Sequence, residues 1–164
     1  MATVYLALGS NVGDGQANIE TAVGLLGEHI YDIRQAPLYR SKAIGYTDQA
    51  DFLNTVLVGE TELKPAELLA FMKSVEERTG RVRRFHWGPR EIDVDLILYD
   101  KLQQQTKELT IPHPAFRERD FVLQPLQDLD PDLIDPVSGR TVSELLERLA
   151  PEHHSILKQI DETD

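Results

Sequence analysis

A chain of 164 residues is long enough to bury a core without staples, and it is read as one domain spanning 1–164. Its 41% apolar content separates it from disordered chains, and the lack of cysteine removes disulfides, thiolate metal sites and thiol nucleophiles. The net charge of −11 argues against general nucleic-acid binding. No apolar run approaches membrane-spanning length and the first residues lack a basic leader region, so a soluble cytoplasmic protein without membrane or nucleic-acid partners is expected.

Residues 3–8 read as a buried first strand, with Val4, Leu6 and Leu8 on one face. The glycine-rich turn 9–15 follows; it lacks a Gly-Lys-Ser/Thr ending and GxGxxG spacing, and reads as a tight strand-to-helix connection. A helix over 16–29 carries Ile19, Ala22, Val23, Leu26 and Ile30 on one stripe. Residues 33–40 suggest a second strand weakened by Pro37, and 41–51 a polar loop. The third strand, 51–58, puts Phe52, Asn54, Val56 and Val58 on one face. Asn54 is the polar member there, and either a backbone group satisfies it or it reads a ligand. Pro65 opens a second helix with Leu68, Leu69, Met72 and Val75 buried and Gly80 as its cap. Lys73 and Glu76 lie beside that stripe, either solvated or holding a ligand.

The stretch 80–100 holds the most chemistry. Arg81, Arg83, Arg84 and Arg90 crowd a segment with Trp87, Gly88 and Pro89 and no acid, and an alternating strand over 92–99 follows. Asp93 and Asp95 therefore project from one face, their Cα atoms roughly 6.5–7 Å apart. Adjacent carboxylates repel unless a cation lies between them or one is protonated. Hard oxygens on a rigid strand suit Mg²⁺, which fills its remaining positions with water and substrate phosphates. Arginines beside them offer planar, permanently charged donors to phosphate. Taken singly, these features also describe a solvated strand face, a solvated basic run and a packed turn; together they describe a polyphosphate site.

Beyond it, 109–111 can return as a short strand to give a hairpin, 115–120 carries Arg117 and Arg119, and 121–126 is apolar. A last helix runs over 141–149, and the polar residues 150–164 are read as a fraying tail. The βαββαβ pattern implies an α+β fold with a ferredoxin-like core, a mainly antiparallel sheet, helices on one face, an added hairpin and peripheral helices.

Leu8-Gly9-Ser10-Asn11, Asp51-Phe52-Leu53-Asn54, Gly80-Arg81-Val82-Arg83, Trp87-Gly88-Pro89-Arg90, Ile92-Asp93-Val94-Asp95, Pro112-His113 and Arg119-Asp120-Phe121 occur in this order. Together they resemble the 6-hydroxymethyl-7,8-dihydropterin pyrophosphokinase (HPPK) family over nearly the whole chain, roughly 3–149. The resemblance implies EC 2.7.6.3 chemistry in folate biosynthesis: transfer of pyrophosphate from ATP to the hydroxymethyl group of 6-hydroxymethyl-7,8-dihydropterin, releasing AMP. It implies two Mg²⁺ ions held on ATP by Asp93 and Asp95, with Arg83 and Arg90 joining these acids in catalysis. It implies a mobile loop with Arg83, Trp87 and Arg90, and contacts to ATP from Lys73, Glu76, Arg81, Arg83, Trp87, Arg90, His113 and Arg119. Ser41, Ile44, Gly45, Phe52, Asn54 and Phe121 would bind the pterin, and the chain would act as a monomer.

Some positions depart from the family pattern. Phe52 replaces a frequent tyrosine, Lys73 a frequent glutamine, Ser41-Lys42 a frequent Thr-Pro, and His86 an arginine; the stretch between Arg83 and Trp87 is short. Two rival readings are a nucleotidyltransferase, whose Gly-Ser and Asp-x-Asp would lie much closer together, and a non-catalytic RNA-binding sheet, which would be more basic and richer in exposed aromatics.

Overall fold

The computed structural model describes residues 1–44, 47–82 and 84–160. In chain order its elements are β1 (Ala2–Ser10), α1 (Gly15–Leu26), β2 (Tyr31–Gln35), β3 (Leu38–Ser41), β4 (Phe52–Thr61), α2 (Pro65–Thr79) and β5 (Asp93–Tyr99). They continue with β6 (Gln104–Gln105), β7 (Thr110–Ile111), α3 (Asp120–Leu129), α4 (Val142–Glu147) and β8 (Ile156–Ile160). The main sheet is ordered β5-β1-β4-β3-β8, with β2 also on β4, and every pairing is antiparallel. β6 and β7 form the expected hairpin. The α+β architecture is the one expected from the alternation of strand and helix patterns.

β1 lies between β4 and β5, and its sequence is apolar along almost its whole length because both faces are covered, one by α1 and α2 and the other by α3. Val4, Leu6 and Leu8 pack with Ile19 and Leu26 of α1 and Leu68, Met72 and Val75 of α2. Local chemistry fixes both helix ends. The Asp14 carboxylate caps α1 by accepting from Ala17 N at 3.1 Å. Gly80 ends α2 with φ 106°, a left-handed turn glycine adopts without strain.

Three expectations need correction. The single strand over 33–40 is two, β2 and β3, because Pro37 has no N–H to give the ladder. Helices are not confined to one face: the apolar run 121–126, given no element above, lies in α3. With α4 it packs over Tyr5, Val56, Val58 and Ile97, so helices lie on both faces and the second face is only partly open. The tail 150–164 is not frayed throughout: β8 pairs with β3, and residues 161–164 lie outside the described residues.

Candidate active site

Strand register assembles the site. Asp95 pairs opposite Ala7 and Asp93 opposite Gly9 on β1. Ala7 and Gly9 in turn face Val56 and Asn54 on β4, and Ser41 of β3 faces Phe52. Cross-strand partners share a face, so Asp93, Asp95, Asn54, Phe52 and Ser41 all point to the side that α3 leaves partly uncovered. A cavity opens there, lined by the charged Asp93, Asp95, Arg90 and Arg119 and by Ser41, Ile44, Phe52 and Phe121, together with Trp87 and Gly88.

The two acids are unequal. Asp93 is ion-paired: its Oδ2 accepts from Arg90 Nη1 at 2.8 Å, and its Oδ1 lies 3.4 Å from Arg81 Nη1. Asp95 has no such close pairing among the described residues: the His113 Nε2 edge lies 4.0 Å away, and Arg119 and Arg90 act on it from farther off. Burial, and next the Asp93 charge, push the Asp95 carboxyl up to about 7. Among the described residues no group of three or more His, Asp or Glu side chains could hold a metal on its own. The donor set therefore fits a hard cation that brings outside oxygens with it, as Mg²⁺ does with water and phosphate.

The arginine loop is tied down at several points. Glu91 accepts from Arg84 Nη1 at 2.6 Å and from Val82 N at 3.0 Å, and the Arg84 bond holds its carboxyl down at about 2. Trp87 has φ 64°, costly for a bulky residue, and Gly88 sits so close to Phe85 that an added Cβ would lie 2.9 Å from its ring. Gln49 Nε2 donates to Trp87 O at 2.7 Å. Asn11 completes the fastening: its Oδ1 accepts from Arg90 N at 2.8 Å, and its Nδ2 donates to Gln49 Oε1 at 2.8 Å and Ala50 O at 2.9 Å. The turn read as a simple connection thus joins the arginine loop to the segment before β4. Asn11 is invisible to spacing arguments because its partners lie 38 to 79 residues away. Arg83 lies outside the described residues, as does Gly45.

Glu76 is buried under β5. Its Oε2 accepts from Arg81 Nη1 at 2.7 Å and from Val94 N at 2.9 Å, and burial pushes its carboxyl up to about 7. Lys73 is exposed and lines a groove with Glu76, Arg81 and Arg90 outside the loop, away from His113. His113 and Asp95 instead line a cleft with Leu69, Met72, Leu96 and Thr110. Burial, with Arg119 nearby, lowers His113 to about 4, so it is neutral. Its Nδ1 accepts from Ala115 N at 3.1 Å, which leaves Nε2 carrying the proton on the Asp95 side. The sequence carries little sign of this cleft: the helical stripe that includes Leu69 and Met72 by itself reads as core.

On the opposite wall, Arg119 lies 5.7 Å over the Phe121 ring. Asn54 is held by a side chain rather than by a backbone group: its Nδ2 donates to Ser41 Oγ at 2.6 Å. It sits behind the cavity rather than lining it, and an added Cβ on Gly9 would meet its Oδ1 at 3.0 Å.

A family model described as 7,8-dihydro-6-hydroxymethylpterin-pyrophosphokinase (HPPK) matches residues 5–131. The chain belongs to the HPPK family. A 2-amino-4-hydroxy-6-hydroxymethyldihydropteridine pyrophosphokinase of Aquifex aeolicus is 46% identical over 144 residues, covering 88% of this chain and 90% of the relative. One from Methylorubrum extorquens is 42% identical over 153 residues, covering 92% and 96%. The folic acid synthesis protein fol1 of Schizosaccharomyces pombe is 40% identical over 149 residues, but only 20% of its length is covered. Among solved structures, a Plasmodium falciparum HPPK-DHPS triple mutant superposes with TM-score 0.73 at 16% identity, covering 89% of this chain and 43% of that one. At that identity the likeness speaks for the HPPK fold alone. Family membership makes this chain an enzyme, a pyrophosphokinase.

Proposed function

We propose that this chain catalyses transfer of pyrophosphate from ATP to the hydroxymethyl group of 6-hydroxymethyl-7,8-dihydropterin in folate biosynthesis, and that the cavity above Asp93 and Asp95 is where transfer occurs. The observation that carries this reading is the meeting of two carboxylates, two arginines and two phenylalanines in one cavity. The aromatic side suits a flat ring, and the charged side suits phosphate. The pterin oxygen bonds to the β-phosphorus, the bond from that phosphorus to the oxygen it shares with the α-phosphorus breaks, AMP leaves carrying that oxygen and the electron pair, and the hydroxyl proton passes to solvent water.

Such a transfer needs positioning and charge neutralisation. Asp93 and Asp95 would hold Mg²⁺, which when bound neutralises phosphate charge and aligns the reacting oxygens. Arg90 and Arg119 border the same space, and Arg83 and Trp87 belong to the loop that would shut out water. Phe52 and Phe121 would sandwich the pterin, with Ser41, Ile44 and Gly45 around its edge and Asn54 holding Ser41. The cleft between Leu69, Met72, Leu96 and His113 is apolar and opens at Asp95, which suits a nucleotide base with its phosphates running to the acids. Glu76 would act through Arg81 and β5, and Lys73 would meet only the far end of the nucleotide.

We also propose a cytoplasmic monomer working as one domain; no helix among the described residues is long and apolar enough to cross a membrane. Sedimentation at working concentration tests the monomer. Incubation with ATP, Mg²⁺ and the pterin, followed by chromatography, tests the reaction. AMP and a pterin diphosphate are expected; free pyrophosphate would instead identify a nucleotidyl transfer, and ADP a single phosphoryl transfer.

A further inference from the structure

Asp120 stands between two residues that line the cavity, Arg119 and Phe121, yet its own side chain turns the other way. It is buried, and its carboxylate takes three hydrogen bonds from the far end of the chain. Oδ2 accepts from Ser155 N at 2.7 Å and Ile156 N at 2.9 Å, and Oδ1 accepts from Ser155 Oγ at 2.7 Å. Ser155 is in turn fastened to the opposite wall: its carbonyl accepts from Lys42 N at 2.9 Å. Ile156 pairs with Ser41, the residue Asn54 holds at the cavity.

Residues 155–156 therefore bridge the two walls between which a flat ring would sit. One wall is the start of α3, with Arg119 and Phe121; the other is the end of β3, with Ser41, Lys42 and Ile44. These bridging residues fall outside the segment 5–131 that carries the family match. A second cavity shares Ile44, Trp87, Arg119 and Phe121 with the first and is also lined by Glu152, His153 and Ser155, so the C-terminal segment borders the same walls.

We propose that Asp120 is a positioning residue for the pterin, acting through Ser155 and Ile156 to fix the spacing between the Phe121 and Ser41 walls. A buried carboxylate with three donors resists displacement, because each donor left unmatched would carry its own desolvation cost. The C-terminal segment is then part of the specificity apparatus and not a tail.

The inference rests on the pterin reading, and steady-state kinetics with the full chain separate the two. Asp120→Ala should raise the KM for the pterin about tenfold while kcat and the KM for ATP change less than about threefold. Asp120→Asn should rescue most of that loss: its amide oxygen can accept both backbone N–H groups, and its NH₂ can donate to the Ser155 hydroxyl, which turns round to accept. Ser155→Ala, which removes only one contact, should raise the pterin KM roughly twofold to threefold, and it decides the matter if Asp120→Ala does not fold. A folded Asp120→Ala with unchanged pterin KM, an Asp120→Asn as impaired as the alanine variant, or an unaffected Ser155→Ala would each overturn the proposal. Wild-type protein that forms no AMP with the pterin would instead overturn the substrate reading.

Discussion

Two aspartate–arginine clusters in this chain use one chemistry to opposite ends. At the turn before α4, Asp135 is fully enclosed and accepts four hydrogen bonds. They come from Arg117 Nε at 2.5 Å, Arg117 Nη2 at 2.8 Å, Val137 N at 3.0 Å and Ser138 Oγ at 2.7 Å. Burial alone would raise its carboxyl, but those donors outweigh it and hold the group at about 2. On β5, Asp93 is paired with Arg90, while Asp95 beside it has a neutral imidazole edge at 4.0 Å and is pushed up to about 7. A carboxylate whose lone pairs are all matched serves the fold. One left short of donors at a cavity is the kind whose chemistry suits a cation.

The sharpest way to break that comparison is to neutralise each acid in turn. Asp95→Asn should lower AMP formation about 10³-fold, the scale of losing a charge-stabilising group in phosphoryl transfer. Its raised carboxyl means the ionised form is disfavoured in the fold, so above pH 7 the substitution should leave Tm unchanged or higher. A large fall in Tm would show that Asp95 is a structural acid like Asp135. Arg90→Ala comes next. With the backbone still held by Asn11, it should slow turnover about 10–100-fold and leave pterin affinity within about twofold. Stopped-flow and equilibrium titration separate these effects, and equal losses in both would mean the arginine only shapes the cavity.

Asp135→Asn is the mirror image. It breaks a buried ion pair and strands Arg117, at a cost of about 2–3 kcal/mol, or a drop in Tm of about 5–10 °C for a chain this size. Activity below the new Tm should be that of the wild type. Lost activity at unchanged Tm would reverse the roles assigned to the two clusters.

What the sequence shows and hides follows from range. Strand period alone places Asp93 and Asp95 on one face, because alternation is local and survives any packing. The cap at Gly80 is local in the same way, as is the weakening at Pro37, though not the split into two strands that it causes. Residue types alone bring the arginine loop into view, whereas Phe121 enters only through the family resemblance. The invisible parts are all long-range: Asn11 reaching Arg90, Ser155 reaching Asp120, and the cleft that joins α2, β5 and the β6–β7 hairpin. β8 is the clearest case. Its sequence, ILKQI, is mostly exposed and amphiphilic at best, and it becomes a strand because β3 offers an open edge and Asp120 accepts its leading N–H groups. Asn54 shows the same limit within a correct reading: its burial was legible, but its partner was not, since the Ser41 hydroxyl arrives from another strand.

The smallest effect tests the comparison most directly, because it reads the carboxyl of Asp135 itself. Its folded value of about 2 lies below the ordinary 3.8, so the folded protein favours the ionised form. The stability this supplies is complete above about pH 4 and is lost as pH falls toward 2, a span worth about 2 kcal/mol. Asp135→Asn has no such group to protonate. The gap in unfolding free energy between wild type and Asp135→Asn should therefore be constant from pH 7 to about 4.5 and shrink steadily below it, as measured by urea unfolding at successive pH values. Protonation of Asp135 in the wild type then does what the substitution does, and the two proteins converge. A gap that stayed constant into acid would mean that Asp135 is held by shape and neutral hydrogen bonds, and that the contrast with Asp95 is not one of charge.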